Sequence, residues 1–162
     1  MSLQDIVGKP PADHIMPWEE VKHVIESDRP ELLCRTPEVL KVYTAHITSV
    51  LARYGTVDRY LLAEVLHWPE PSPLEPEPYI LRRNDFGYAI DPSIDHFLIW
   101  SPQPLRAERV AEIVEKEFES KRFEAVYFVN PAKLQSVKNI SHVHVFVRLR
   151  EGAVVQELAG SA

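Results

Sequence analysis

The chain has 162 residues, 45% of them hydrophobic and 26% charged, with a net charge of -6 and a pI near 5.6. That length suits one domain burying roughly two-thirds of its unfolded surface, and the balance is globular rather than disordered. The acidic charge with scattered Lys and Arg excludes a nucleic-acid module. The single cysteine, Cys34, excludes an intramolecular disulfide or a CxxC site, and no stretch approaches the ~20 apolar residues of a membrane span.

Residues 1–16 carry prolines and little periodicity, and read as an arm on the surface or loose, with no chemistry attached. The lack of a charged, then apolar leader predicts a protein that is not exported, so the expected location is the cytoplasm. From Pro17 the pattern becomes helical: Pro at a first helical position, Glu19 and Glu20 in the first turn, then Trp18, Val21 and Ile25, ending near Asp28. Cys34 reads as a small apolar side chain near a helix start rather than a nucleophile. Thr36-Pro37-Glu38 is a second start signal, and Leu40, Tyr43, Ile47, Val50, Leu51 and Tyr54 form one stripe that Gly55 stops. Thr56 caps a third helix from Val57 to about Leu66.

Residues 67–78 contain five prolines, which cannot donate to a helix or a sheet ladder and hold their predecessors extended. This predicts a stiff strap between a helical N-terminal half and a sheet-forming C-terminal half. Tyr79-Ile80-Leu81 and Tyr88-Ala89-Ile90 flank a polar turn with Gly87 and suggest a hairpin, and His96 to Trp100 reads as a central strand. Pro104 opens a helix whose Val110, Ile113, Val114 and Phe118 face the sheet, while Ala125 to Val129 reads as another buried strand. Residues 142–148 alternate, with His142, His144, Phe146 and Arg148 on one face and valines on the other. The tail from Glu151 reads as frayed or a short helix, and residues 17–150 as a single α+β domain. The expected sheet has about four to five antiparallel strands, covered by the long helix.

Functional chemistry is expected on the histidines. His142 and His144, two apart in a strand, project about 7 Å apart from one face at ~3.3 Å per residue. Neutral imidazole is the natural general base near pH 7. The same residues are also compatible with a histidine filling a polar slot by bonding the backbone. His96, after Asp95, either joins the pair at one sheet end or faces water. Arg82, Arg83, Asn84 and Asp85 form either a donor fork for an anion or a solvated hairpin tip. A metal would need a third donor, and none stands at a recognisable spacing, so neither a metal nor a cofactor is expected. With five glycines the chain has no P-loop or dinucleotide fingerprint.

Several blocks, in order, resemble the fungal family called N-acetylglucosamine-induced protein, a domain of unknown function. They are Trp18-Glu19-Glu20-Val21, Leu33 to Pro37, Tyr54-Gly55-Thr56-Val57 with Tyr60-Leu61-Leu62, Ile80 to Asp85, His96 to Ser101, and Leu134-Gln135-Ser136-Val137 leading to His142-Val143-His144-Val145. The resemblance spans about residues 17–149 and implies a fungal, cytoplasmic protein. The sequence departs from the family pattern at Phe86-Gly87-Tyr88-Ala89 and at Val129-Asn130-Pro131, where a cation and two large aromatics are lost. The C-terminal half also resembles the histidine-triad (HIT) hydrolases, whose middle histidine attacks a nucleotide α-phosphate. The resemblance aligns His142 and His144 with the first two histidines and puts Phe146 at the third, where it cannot bond phosphate.

The function expected is therefore a cofactor-free enzyme of fungal specialised metabolism, an isomerase or cyclase with pericyclic, Diels-Alder-like ring closure included. It would act on a mostly apolar small molecule in a cation-poor pocket between sheet and helices. His144 and His142 would be catalytic, and His96, Trp100, Arg82, Asn84, Phe146 and Tyr127 would bind substrate. Two alternatives stay open: a HIT-like nucleotide or sugar-phosphate hydrolase with His144 as nucleophile, and a non-enzymatic metabolite sensor. The partner expected is a small molecule, not nucleic acid or a membrane, with the oligomeric state open.

Overall fold

A computed structural model describes residues 2–131, 135 and 137–153. Leu134, Ser136 and the tail beyond Ala153 lie outside the described residues, and with them the expectation of a frayed or helical end. Four strands, β1 (Ile80–Arg83), β2 (Asp95–Ser101), β3 (Phe123–Phe128) and β4 (Ser141–Leu149), form one antiparallel sheet in the order β1-β2-β4-β3. Side chains directly opposite in an antiparallel pair share a face. The register Trp100↔His142, Leu98↔His144 and His96↔Phe146, with Phe128↔His144, therefore sets one aromatic, histidine-bearing face. The other face carries Ile99, Val143, Val145 and Val147, against which Val110, Ile113 and Val114 of α5 (Ala107–Glu117) pack. Ile99, Ile113 and Val145 are fully buried there, each contributing about 1.5–3 kcal/mol.

The histidine face is roofed by α1 (Leu3–Val7), α2 (Trp18–Glu26), α3 (Pro37–Tyr54) and α4 (Val57–Tyr60). The Thr36 hydroxyl accepts from the Val39 N–H at 3.2 Å, Pro37 occupies the first turn, and Gly55 ends α3 at φ 79°, a left-handed conformation that favours glycine. The helix expected from Val57 to Leu66 instead changes pitch. After α4 the chain widens into a π turn, Leu61–Val65, closed by Leu66 N–H to Leu61 C=O at 2.7 Å. The strap stays irregular and lies over α5, where the Glu75 carboxylate takes both Arg109 and Lys116.

Three expectations are corrected. The N-terminal arm is not loose: Ser2 and Asp5 form a capping box for α1, and Ile6 packs with Tyr43, Ile47 and Trp100. The hairpin between residues 79–81 and 88–90 does not form. β1 pairs with β2, and residues 88–90 bond elsewhere, Ala89 N–H to Cys34 C=O at 2.8 Å and Met16 N–H to Ala89 C=O at 3.0 Å. Burial decides this, because Tyr88 and Ala89 are buried and Tyr88 packs with the apolar face of α2, and the Asn84 side-chain Oδ1, accepting from Phe86 N–H at 3.0 Å, turns the chain toward them. β3, expected to be buried, is an edge strand of half-buried and exposed residues, since only β4 pairs with it.

Candidate functional site

Strand alternation delivers His142 and His144 from β4, and His96 from β2, to the same face. His96 Nε2 lies 3.0 Å from His144 Nδ1, so one ring donates and the other accepts, and the Asn130 amide is 3.1 Å from His144 Nε2. His144 thus has a protein partner at both nitrogens. It is stacked on Phe128 at 5.0 Å, while His96 lies on Phe146 at 4.2 Å and on Tyr88 at 5.1 Å. His142 differs. Its Nδ1–H donates to the Ile140 carbonyl at 3.3 Å, a bond that requires the proton on Nδ1, while its Nε2 has no hydrogen bond among the described residues. The ring packs on Trp100 at 4.8 Å.

Burial governs the charge of all three. It pulls His96 down to about 3, with the Arg35 and Lys9 cations adding to the effect, and pulls His144 well below the usual histidine range, with His96 and His142 beside it. His142 is lowered by burial too, partly offset by the Ile140 carbonyl. At neutral pH these imidazoles are uncharged, and His142 presents a bare Nε2, a base.

That nitrogen belongs to a ring lining a cleft of about 970 Å³. Leu98, Trp100, His142 and His144 form its floor, α3, α4 and the π turn supply Tyr43, His46, Tyr60 and Leu61, and the arm from Gln4 to Lys9 closes one side. Of the residues singled out from sequence, His142, His144, Trp100, Arg82 and Asn84 line this cleft. His96 does not: it sits behind His144, 7% exposed, with its Nδ1 3.4 Å from the Asn84 amide nitrogen. Phe146 is wholly buried beneath His96 and is a support, not a contact surface. Tyr127 is opposite Val145, on the other face of the sheet and 38% exposed, because its odd position in β3 turns it away.

The expected scarcity of cations also fails. Lys9, Arg35, Arg82, Arg83 and Lys138 all line the cleft. Arg83 pairs with Asp95, and Arg82 stands 4.0 Å from Asp85. Lys9 and Arg35 have no carboxylate within 4.0 Å among the described residues. Sequence reading missed both, along with Tyr88, for lack of a local signal: Lys9 and Arg35 meet only through the docking of the arm. Asn130, present in the HIT-like pattern, bonds His144 and leaves its Oδ1 buried with no hydrogen-bond partner among the described residues. Cys34 is half-buried, with burial pushing its thiol up, so it is no ready nucleophile. Among the described residues no group of three His, Cys, Asp or Glu is arranged to hold a metal ion, and no helix is long and apolar enough to cross a membrane.

These features define an α+β domain whose antiparallel sheet carries a neutral histidine centre at the foot of a roofed cleft. The chain belongs to the family described as protein of unknown function DUF3605, whose profile matches residues 17–148. It is 25% identical to N-acetylglucosamine-induced protein 1 of Candida albicans, over 87% of this chain and 71% of that protein. It is 27% identical to an uncharacterized protein of Saccharomyces cerevisiae, over 80% and 77%. Both relatives are fungal, in keeping with the resemblance seen in the sequence. The crystal structure of HTC1 has the same fold, with a TM-score of 0.61 over 87% of this chain and 89% of that one, at 24% identity.

Proposed function

We propose that the cleft is the active site of a cofactor-free enzyme that moves a proton on a small molecule, an isomerisation or ring closure of the kind fungal specialised metabolism uses. His142 is the residue that exchanges the proton. What carries this reading is the His142 tautomer: Nδ1–H is committed to Ile140, burial keeps the ring neutral, and Nε2, in a ring on the cleft floor, has no partner among the described residues. The aromatic walls exclude water and hold an apolar substrate body in one orientation, which also lowers the entropic barrier of a pericyclic closure. His144, first expected to act, is a positioning residue here, since both its nitrogens are engaged.

The test is genetic and chemical. The gene is deleted and restored as wild type or as His142→Gln, and small-molecule extracts are compared by mass spectrometry. Wild type should restore a metabolite that His142→Gln makes at a rate lower by about 100-fold. Full restoration by His142→Gln would refute the assignment, and an unchanged extract on deletion would favour a metabolite-sensing module.

A second reading, hydrolysis of a nucleotide or sugar phosphate, is favoured by one observation, the cations Lys9 and Arg35 on the cleft wall. It needs a free nitrogen on His144 and a third histidine, and the second is Phe146. Phosphate-ester turnover abolished by His144→Ala in a folded variant would establish it.

A further inference from the structure

Two half-buried cations line this cleft, and neither makes an ion pair with a carboxylate among the described residues. Lys9 reaches it from the arm, and its Nζ donates to the Pro30 carbonyl at 2.9 Å and to the Leu33 carbonyl at 3.0 Å. Arg35 reaches it from the turn before α3, where its Nε–H donates to the Phe86 carbonyl at 2.8 Å and its guanidinium lies 3.8 Å from the Tyr43 ring centroid. Both cations address one ring: Lys9 Nζ is 4.8 Å from the Tyr88 centroid and the Arg35 guanidinium 5.3 Å. Tyr88 in turn stacks on His96 and His144, so the cation pair and the histidine centre lie on either side of a single aromatic ring.

Like charges held together away from water are costly unless something neutralises them. Burial already pulls the Lys9 ammonium down to about 8; Arg35 adds to the effect, and Cys34, Glu31 and the aromatic faces offset only part of it. Carbonyls fix both side chains in place without neutralising them, which is the construction of a site that waits for an anion.

We propose that Lys9 and Arg35 form a carboxylate-binding subsite, so that the ligand of this cleft is an amphipathic carboxylic acid with its head on the two cations and its apolar body along Trp100. This rests on the reading of the cleft as the substrate site and names the substrate class. The donor geometry suits a carboxylate. Two of the three Lys9 N–H groups are taken by carbonyls, and Arg35 Nε is spent on Phe86. The terminal Arg35 nitrogens, which make no hydrogen bond to described residues, form a fork that matches the two oxygens of a planar anion.

The experiment uses the full chain and three compounds: 4-phenylbutyrate, its neutral amide, and inorganic phosphate. Binding is followed by the ¹H–¹⁵N shift of the Trp100 indole. The carboxylate should bind at least about tenfold tighter than the amide, and that preference should fall to near unity in Lys9→Met and in Arg35→Met and survive in Lys9→Arg. Using two separate cations keeps the test open if Arg35→Met, which also loses its bond to Phe86, proves unstable. Equal binding of acid and amide, or a preference untouched by both Met variants, overturns the proposal. Inorganic phosphate shifting the same signal at lower concentration than 4-phenylbutyrate replaces the carboxylate with a phosphate head. Since this readout involves no turnover and the His142→Gln restoration involves no carboxylate ligand, failure of either idea is visible without the other.

Discussion

At the scale of single residues, the two histidines of β4 have been given opposite tasks by their neighbours. His144 is 5% exposed, bonded at both nitrogens and sandwiched by Phe128 and Tyr88. Replacing it with Ala opens a cavity and leaves His96 Nε2 buried without its partner, so urea unfolding should show a loss of about 3 kcal/mol. His142, with one long bond and a side on the cleft, should lose only about 1 kcal/mol on the same substitution. Equal losses would mean that His142 is as much a structural element as its neighbour. The alternation of residues 142–148 sufficed to put both imidazoles on one face, but which nitrogen is free depends on Ile140, His96 and Asn130, and no spacing encodes that. Tyr127 shows the same gap from the other side: an aromatic near the site in sequence was counted as part of it, though the β3–β4 register turns it away.

Among the elements, the arm is where sequence and structure differ most. Its capping box is written in Ser2 and Asp5, yet five helical residues are far too few to be stable alone, and only the docking of Ile6 against α3 and Trp100 holds them. Ile6→Ala should weaken that docking by about 2 kcal/mol. The amides of Gly8 and Ala12, bonded to Gln4 and Arg35 carbonyls, should then exchange about 30-fold faster. Those of β4 should be unchanged, and a matching rise in β4 would mean that the arm is integral to the core. α3 was readable end to end because Thr36, Pro37 and Gly55 act locally. The expected hairpin misled because its turn signal, residues 84–87, is the same for a tight turn and for the start of a longer loop. What chose between them was the distant apolar run of β2, which β1 pairs with, and the space under α2, which Tyr88 fills.

For the molecule as a whole, three buried neutral histidines set the response to acid. Each has its folded-state pKa lowered, His96 to about 3. Below about pH 6.5 the unfolded chain takes up protons that the folded one refuses, so stability is intact above that point and is lost as the pH falls toward 3. The slope approaches ~1.4 kcal/mol per pH unit for each histidine that stays neutral, or ~3 for His96 and His144 together, against a total stability of about 5–15 kcal/mol. Circular dichroism should therefore show the fold weakening below about pH 6.5 and lost by about pH 3. A chain still folded at pH 3 would show that these rings take up protons inside the fold. The layered α+β architecture was legible because each apolar run has one period, and the histidine-floored cleft was not, because its walls come from the arm, α3, the 84–88 loop and β4, segments that meet only in three dimensions. One of those walls stands outside the family profile: the arm lies ahead of the 17–148 stretch that the profile matches, and yet it delivers Lys9. If the cleft is a substrate site, a chimera that exchanges only the first fifteen residues between two relatives should change which ligand head is held while leaving the histidines of the sheet in place.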